Sequence, residues 1–334
     1  MKICVTGSQG FIGSYLCQEL LDCGYEVVGV DNYSKYGFVA RPHDNHHGFS
    51  FYTLDIVRDY KEFAYIAREE KPDVMVALAA MIGGISYFHK YAYDLLATNE
   101  RILANTFDIS LDLFKKNVLK KIVVISSSMV FERATVYPTP ESHIADCPAP
   151  KSTYGFQKLA SEYFCKGAYE QWKLPYTIAR PFNCVGVGEQ EAALSGNEKI
   201  LLSHVLPDLV FKTLRLKKDD ALPILGDGSQ VRHYTNGRDV ARGIRLCVED
   251  KNLNMDYNIS SPVATTVKEL GEKVWQQVHG TEARFAFMDQ PYQYDVQLRS
   301  PDVSKAEKYL GFTAEIPLVQ SVKEVAEWMQ LNYI

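Results

Sequence analysis

Short runs of apolar and β-branched residues recur through the first half of the chain, and each is followed by a segment with helical periodicity. "KICVTG" precedes "FIGSYLCQELLDCG"; then come "EVVGVD", "SFYTLD" and "DVMVALAA", and later "KIVVISS" and "PYTIARPF". A strand that is apolar without alternation has to be covered on both faces, and a helix between successive strands brings them back in parallel. The expectation is an α/β fold whose first domain, residues 1–182, is a doubly wound parallel sheet. After "RPFNCVGVGEQEAALSGNEK" the alternation becomes irregular. A helix-like "ILLSHVLPDLVFKTLRL", a turn "LGDGSQ" and a last amphipathic helix "SVKEVAEWMQLNYI" predict a smaller lobe, residues 183–334, that lies over the strand ends and returns some segments to the first domain.

With 334 residues, 46% of them hydrophobic, the chain can bury a large core. A net charge of −5 and no long basic run argue against nucleic acid or an anionic membrane surface as the main partner. The seven cysteines (Cys4, Cys17, Cys23, Cys147, Cys165, Cys184 and Cys247) are scattered, odd in number and without C-x-x-C spacing. Neither a disulfide framework nor a metal site is expected from them. The N-terminal "MKICVTGSQGFIGSYL" has glycines and polar residues where a signal peptide has a continuous apolar core, and no 18-residue apolar run follows. A cytoplasmic protein is expected.

"VTGSQGFIGSYL" puts Gly7, Gly10 and Gly13 directly after the first strand and at the opening of a helix. In such a loop the first glycine allows the turn, the second lets backbone approach a pyrophosphate, and the third lets helix and strand close up; the helix N-terminus supplies amides and partial positive charge. The spacing is G-x-x-G-x-x-G. A Rossmann-like dinucleotide site is expected, with Phe11 and Ile12 inside the loop. Asp31, eighteen residues past Gly13 at the end of the next strand in "VVGVDNYSK", is placed to accept both adenosine ribose hydroxyls. Its charge would repel a 2′-phosphate and so favours NAD over NADP. Asn32 and Lys35, the lysine before Tyr36, follow on the same lip. Asp55 and Ile56 of "TLDIVRD" end the third strand, where Asp55 can bond adenine or cap a helix.

"STYGFQKLASEY" separates Tyr154 from Lys158 by four residues, so that both project from one helix face. That spacing alone recurs by chance in a chain this rich in tyrosine and basic residues. Read in order, "TGSQGFIG", Asp31, "ALAA", "ISSS", "STYGFQK" and "ARPFNCVGVGE" make the sequence resemble the extended short-chain dehydrogenase/reductases, in particular the NAD-dependent nucleotide-sugar epimerases and dehydratases, from Met1 to about Phe312.

The resemblance implies that Tyr154 is general acid or base on a sugar hydroxyl and that Lys158 sits on the nicotinamide ribose. A phenol must drop by about three pKa units to work at neutral pH, roughly 4 kcal/mol. One cation at ~4 Å with an effective dielectric of about 20 supplies about that much. A serine that bonds the reacting hydroxyl is implied at Ser127, anchored on the Val130–Phe131 that follows, or at Ser128 or Ser126 if the loop is shorter by one. Leu78, Ala79 and Ala80 of "VALAAMIGG" are expected to line the cofactor with Asn99 nearby. Ser128, Met129, Asn183, Arg232, Arg299 and Asp302 match substrate positions, the arginines holding the diphosphate through their forked donors, with surface ion pairs as their alternative role.

Dehydratases of this kind need an acid pair beside the Ser/Thr, and Ser128 and Met129 stand there instead. The related decarboxylases carry a glutamate at Met129. The 3,5-epimerases carry a cysteine at Met129 and a basic residue where Gly188 and Glu189 stand, although "MIGGIS" resembles their loop and His89 is a nearby imidazole. The minimal set Ser127, Tyr154, Lys158 and NAD suits 4-epimerisation through a transient 4-keto sugar. Alternatives are a 4,6-dehydratase, a 2- or 3,5-epimerase, a 4-keto reductase, or a non-catalytic NAD-sensing regulator. "VFERATVYP" departs from the family's usual V-Y-G. The family habit also implies a homodimer, through the Tyr-Lys helix and "DLLATNERILANTFDISLDLFKK".

Overall fold

The computed structural model describes residues 1–83, 90–189, 204–289 and 296–333. Seven parallel strands form the central sheet in the order β11-β6-β5-β4-β1-β2-β3. They are β1 (Lys2–Thr6), β2 (Glu26–Asp31), β3 (Phe49–Thr53), β4 (Val74–Ala77), β5 (Lys121–Ile125), β6 (Tyr176–Pro181) and β11 (Met255–Ile259). The chain builds outward from β1 to β3, then crosses back to place β4 on the other side of β1. The order therefore reverses between β1 and β4, and a crevice opens beyond their carboxyl ends.

The apolar runs are explained by what covers them. Ile3 and Val5 face a core made with Leu16, Cys17 and Leu20 of α1 (Phe11–Asp22) and Val240 and Ile244 of α6 (Gly237–Glu249). Cys4, Met75, Ile122 and Val124 point to the opposite face. There they meet Phe63 of α2 (Tyr60–Glu70), Leu103 and Phe107 of α3 (Ala92–Lys115) and Cys165 of α4 (Thr153–Trp172). Alternate residues of one strand thus bury in two different cores, which is why β1, β4 and β5 do not alternate with polar residues.

A third core lies outside the main sheet. Leu206, Leu209 and Val210 of α5 (Val205–Arg215), Leu270, Val274 and Trp275 of α7 (Val267–His279), and Val322 and Val325 of α9 (Leu318–Tyr333) pack around the strand pair β8 (Leu222–Leu225) and β13 (Phe285–Met288). Two further two-stranded sheets join β7 (Cys184–Val185) to β10 (Thr235–Asn236) and β9 (Val231–Arg232) to β12 (Thr265–Thr266). The short helix α8 (Ser304–Leu310) lies against β11. All seven cysteines are free thiols. Among the described residues no helix is long and apolar enough to cross a membrane.

Candidate active site

The glycine loop closes the crevice from below. Gly7 adopts φ +75° and its N–H donates to Val30 O at 2.7 Å, tying the turn to β2. A Cβ on Gly7 would lie 2.9 Å from Ala79 Cα, and one on Gly13 would overlap the carbonyl oxygen of Gly7. Helix α1 opens at Phe11 and Ile12 with Gly10 as its cap, without a capping side chain and without an acidic residue in the first turn. Its amide dipoles are left for an anion. The opposite lip is fixed by Thr6, whose Oγ1 donates to Val76 O at 3.2 Å and accepts from the amides of Leu78 and Ala79 at 3.1 and 3.2 Å. Beyond Ala80, buried Asn99 grips Met81, accepting from its N–H at 2.6 Å and donating to its carbonyl at 3.0 Å.

Asp31 ends β2 in the same crevice and accepts from Gln9 N at 3.0 Å and Tyr33 N at 2.8 Å. Burial raises its pKa, against those amides and the positive charge of Arg41. Arg41 was not legible in the sequence: its guanidinium donates to Gln9 O from Nε (3.1 Å) and Nη2 (2.8 Å), bolting the segment after β2 onto the glycine loop from 32 residues away. Asn32 is exposed and donates to Asp55 Oδ2 at 3.2 Å. Asp55 Oδ1 accepts from Val57 N and Arg58 N, so Asp55 closes a turn and is not the cap of α2, which begins at Tyr60 after Asp59. Ile56 is buried in the core, its carbonyl held by Asn105. Lys35 is half-buried beside Tyr36; burial lowers its pKa and the opposing charge is that of Glu189, so the sequence expectation of a cofactor-facing lysine meets a competing partner.

The three serines after β5 separate into different tasks. Ser126 Oγ donates to Glu162 Oε1 at 2.6 Å. Ser127 is extended (φ −158°, ψ 154°), accepts from Met129 N at 3.2 Å and shares a hydrogen bond with Tyr154. Ser128 and Met129 are buried in the 3-10 turn Ser128–Phe131. Tyr154 is buried in the first turn of α4, against Leu95 and Met129. That turn is held by two caps: Ser152 Oγ accepts from Gly155 N at 3.0 Å, and Glu132 Oε2 accepts from Ser152 N and Oγ at 3.0 and 2.8 Å. Glu132 belongs to the departure "VFER", so that departure orders the helix that carries Tyr154. Lys158 follows one turn later and donates to Ile125 O at 2.8 Å.

Burial pushes Tyr154 up to about 12, more than the Ser127 hydrogen bond and the charge of Arg299 return. Burial likewise pulls Lys158 down to about 8, against the negative charge of Glu100. In the protein by itself Lys158 is not among the groups that lower the phenol, which are Ser127 and Arg299. The Lys158 ammonium is turned to the Ile125 carbonyl, and burial favours the neutral form of each group.

The remaining candidates come from beyond β6. Asn183 takes the left-handed conformation (φ 38°), donating to His233 O at 3.3 Å and accepting from Thr235 N at 3.1 Å. Arg232 is buried, not a surface residue, and Nη1 donates to Val231 O at 2.8 Å. Arg299 N donates to the same Val231 carbonyl at 3.2 Å, so both arginines flank one residue of β9, and the Arg299 charge reaches Tyr154. Asp302 Oδ1 accepts from Ser304 N at 2.9 Å at the head of α8, a turn-forming role. Glu189 is buried and paired with His204, whose charge together with that of Lys35 lowers its pKa although burial opposes this. His89, like Gly84, Ile85 and Ser86 of "MIGGIS", lies outside the described residues.

Comparison with known proteins finds relatives of the chain. Residues 3–260 match the NAD dependent epimerase/dehydratase family. The chain is 28% identical to the UDP-glucose 4-epimerase of Bacillus subtilis, over 99% of this chain and 98% of that one. It is 24% identical to UDP-glucuronic acid decarboxylase 1 of Danio rerio, over 98% of this chain and 72% of that one. Among solved structures, UDP-glucose 4-epimerase from Thermotoga maritima, crystallised with UDP-glucose, superposes with a TM-score of 0.83 at 26% identity, covering 100% of both chains.

Proposed function

Because the chain belongs to the NAD dependent epimerase/dehydratase family, an enzyme superfamily, we propose that it is a nucleotide-sugar 4-epimerase working through a transient 4-keto sugar. The observation that carries this reading is the composition around Tyr154: a serine hydroxyl on one side, buried Ser128 and Met129 beside it, and no carboxylate at either position. A 4,6-dehydratase needs a separate acid and base there, and the decarboxylases of the family need a glutamate. An epimerase and a decarboxylase align with 99% and 98% of this chain, and the local residues favour the epimerase.

The cofactor is NAD, and the residues fit it: a Cβ at Gly7 or Gly13 would collide with neighbouring main chain, so glycine keeps the loop tight beneath a helix N-terminus that has no capping side chain. Gly7, Gly10 and Gly13 would hold that pyrophosphate, Asp31 the adenosine ribose, and Lys158 the nicotinamide ribose. When bound, NAD supplies the acceptor and donor of the hydride at a sugar carbon, together with a positive charge. Tyr154 takes the proton of the 4-hydroxyl and later returns it, while Ser127 orients that hydroxyl. The 4-keto sugar turns about its diphosphate, held by Arg232 and Arg299, and presents its other face. Burial of Tyr154 excludes water, which protects the ketone. A homodimer through α3 and α4 completes the reading; Tyr93, Phe156, Tyr163 and Trp172 on these helices are exposed.

Purified protein incubated with UDP-, GDP-, CDP- and dTDP-sugars, with products resolved by NMR, tests the proposal. A new 4-epimer supports it. A 4-keto-6-deoxy product, a pentose product, or no turnover alongside NAD binding would overturn it, the last in favour of an NAD-sensing regulator.

A further inference from the structure

Tyr154, Lys158 and Glu162 stand at positions i, i+4 and i+8 of α4, and all three are buried. The first two have roles in the reaction. Glu162 has no contact that the chemistry requires, yet it is a carboxylate with no exposed surface. Its Oε1 accepts from Ser126 Oγ at 2.6 Å and from Arg180 Nε at 2.7 Å; its Oε2 accepts from Arg180 Nη2, also at 2.7 Å. Arg180, on β6, is in turn held by Asp256 of β11 at 2.7 Å. Its guanidinium carbon lies 5.2 Å from the centre of the Phe131 ring.

These contacts close a bracket. Ser126 and Phe131 are the two ends of the segment that contains Ser127, and one ion pair grips both: Glu162 holds the first end by a charge-assisted hydrogen bond, Arg180 the other by a cation–π contact. The same Arg180 lies three residues before Asn183. A buried ion pair is poor as a source of stability, since apolar residues of similar volume often do as well. What it provides here is fixed direction at three elements at once.

We infer that Glu162 is a positioning residue, which through Ser126 and Arg180 holds the Ser127 hydroxyl in hydrogen-bond register with Tyr154. The inference rests on the reading of Tyr154 as the proton-transferring group. Among the described residues, and besides Ser127, the titratable and charged groups that face Tyr154 are Tyr91 ahead of α3 and Arg299 by its charge, with Lys158 one turn further along its own helix. Ser126→Ala leaves each of them in place and keeps the Glu162–Arg180 pair.

The test compares the NAD-loaded full chain with Ser126→Ala, Ser126→Thr and Glu162→Gln, using Tyr154→Phe as reference. Two readouts are needed: the pH profile of kcat with the sugar that turns over, and ultraviolet titration of tyrosine ionisation with the Tyr154→Phe spectrum subtracted. Ser126→Ala is expected to lower kcat about tenfold or more through misplacement, to leave KM unchanged, and to move the Tyr154 midpoint upward as the Ser127 bond slackens. Ser126→Thr, which keeps the hydroxyl, restores both. Glu162→Gln is expected to go further in the same direction where it folds. A Ser126→Ala protein with unchanged kcat and an unmoved midpoint overturns the inference even if its melting temperature falls, because that is the signature of a structural role alone. Full activity of Tyr154→Phe would instead overturn the reading of Tyr154 itself.

Discussion

Two glycines of α4 give opposite answers to the same substitution. A Cβ on Gly155 would lie 2.7 Å from Pro150 Cβ, 2.8 Å from Met129 O and 3.0 Å from Glu132 Oε2, whereas one on Gly167 meets nothing within 4 Å. Ordinary Cβ contacts begin at 3.4 Å, so Gly155→Ala must open the joint between α4 and the Ser128–Phe131 turn by 0.7 Å (3.4 minus 2.7). A proline ring and a main-chain carbonyl cannot yield as the end of a flexible side chain can. The displacement falls between Tyr154, on the moving helix, and Ser127, at the head of the turn. Overpacking of this size costs about 1–3 kcal/mol. A misplacement approaching 1 Å lowers turnover by up to about a hundredfold. Gly167→Ala, on the exposed side of the same helix, should instead stabilise by about 0.5–1 kcal/mol, because glycine in a helix gives up more chain entropy than alanine. Denaturation midpoints and turnover rates in the proposed epimerisation, both variants loaded with NAD, form the assay. Full turnover in Gly155→Ala, or equal destabilisation by both, would refute the reasoning.

Tyr154→Phe is expected to lose turnover by about 10²–10⁴-fold while NAD stays bound, since on the proposed mechanism only the proton carrier is removed; cofactor retained after gel filtration, measured beside activity, checks both halves. Gly13→Ala should release NAD, because the added methyl group displaces the main chain of Gly7; isothermal titration that finds unchanged affinity would contradict the glycine-loop assignment. The Tyr154 phenol, raised from 10 to about 12 by burial, favours its neutral form in the fold, so its contribution to stability is complete below pH 10 and is lost as pH climbs towards 12. Binding of NAD, which brings a positive charge, should lower that midpoint, and a titration in which it stays or rises argues against a nicotinamide beside this ring. Light scattering at micromolar concentration should report a dimer, and a monomer would remove that part of the proposal.

What the sequence disclosed was chemistry that neighbours in the chain can specify. Gly7, Gly10 and Gly13 act on one another within a single turn, and the runs of β1, β2, β4 and β5 declare their double coverage by having no polar face. β11 did not declare itself: "MDYNI" alternates, because Asp256 and Asn258 turn to Arg180 and to the carbonyls of Thr139 and Asp302. The partners lie far off in the chain, so the pattern reads as a weak strand. The clamp of Arg41 on Gln9 and the Glu162–Arg180 pair were hidden for the same reason. The direction of the Tyr154 and Lys158 shifts was hidden for another: the charges can be counted from spacing, but the loss of water around them depends on Leu95, Met129 and the rest of the packed surroundings.

Because Tyr154, Lys158 and Glu162 share one helical face, their relation depends on the number of residues between them as much as on their identities. One inserted residue would turn everything downstream by about 100° around the helix axis, sending the lysine and the glutamate towards solvent or into the wrong core while every side chain remained present. Over these nine residues the chain is free to change by exchange of side chains on the outer face, but not in length.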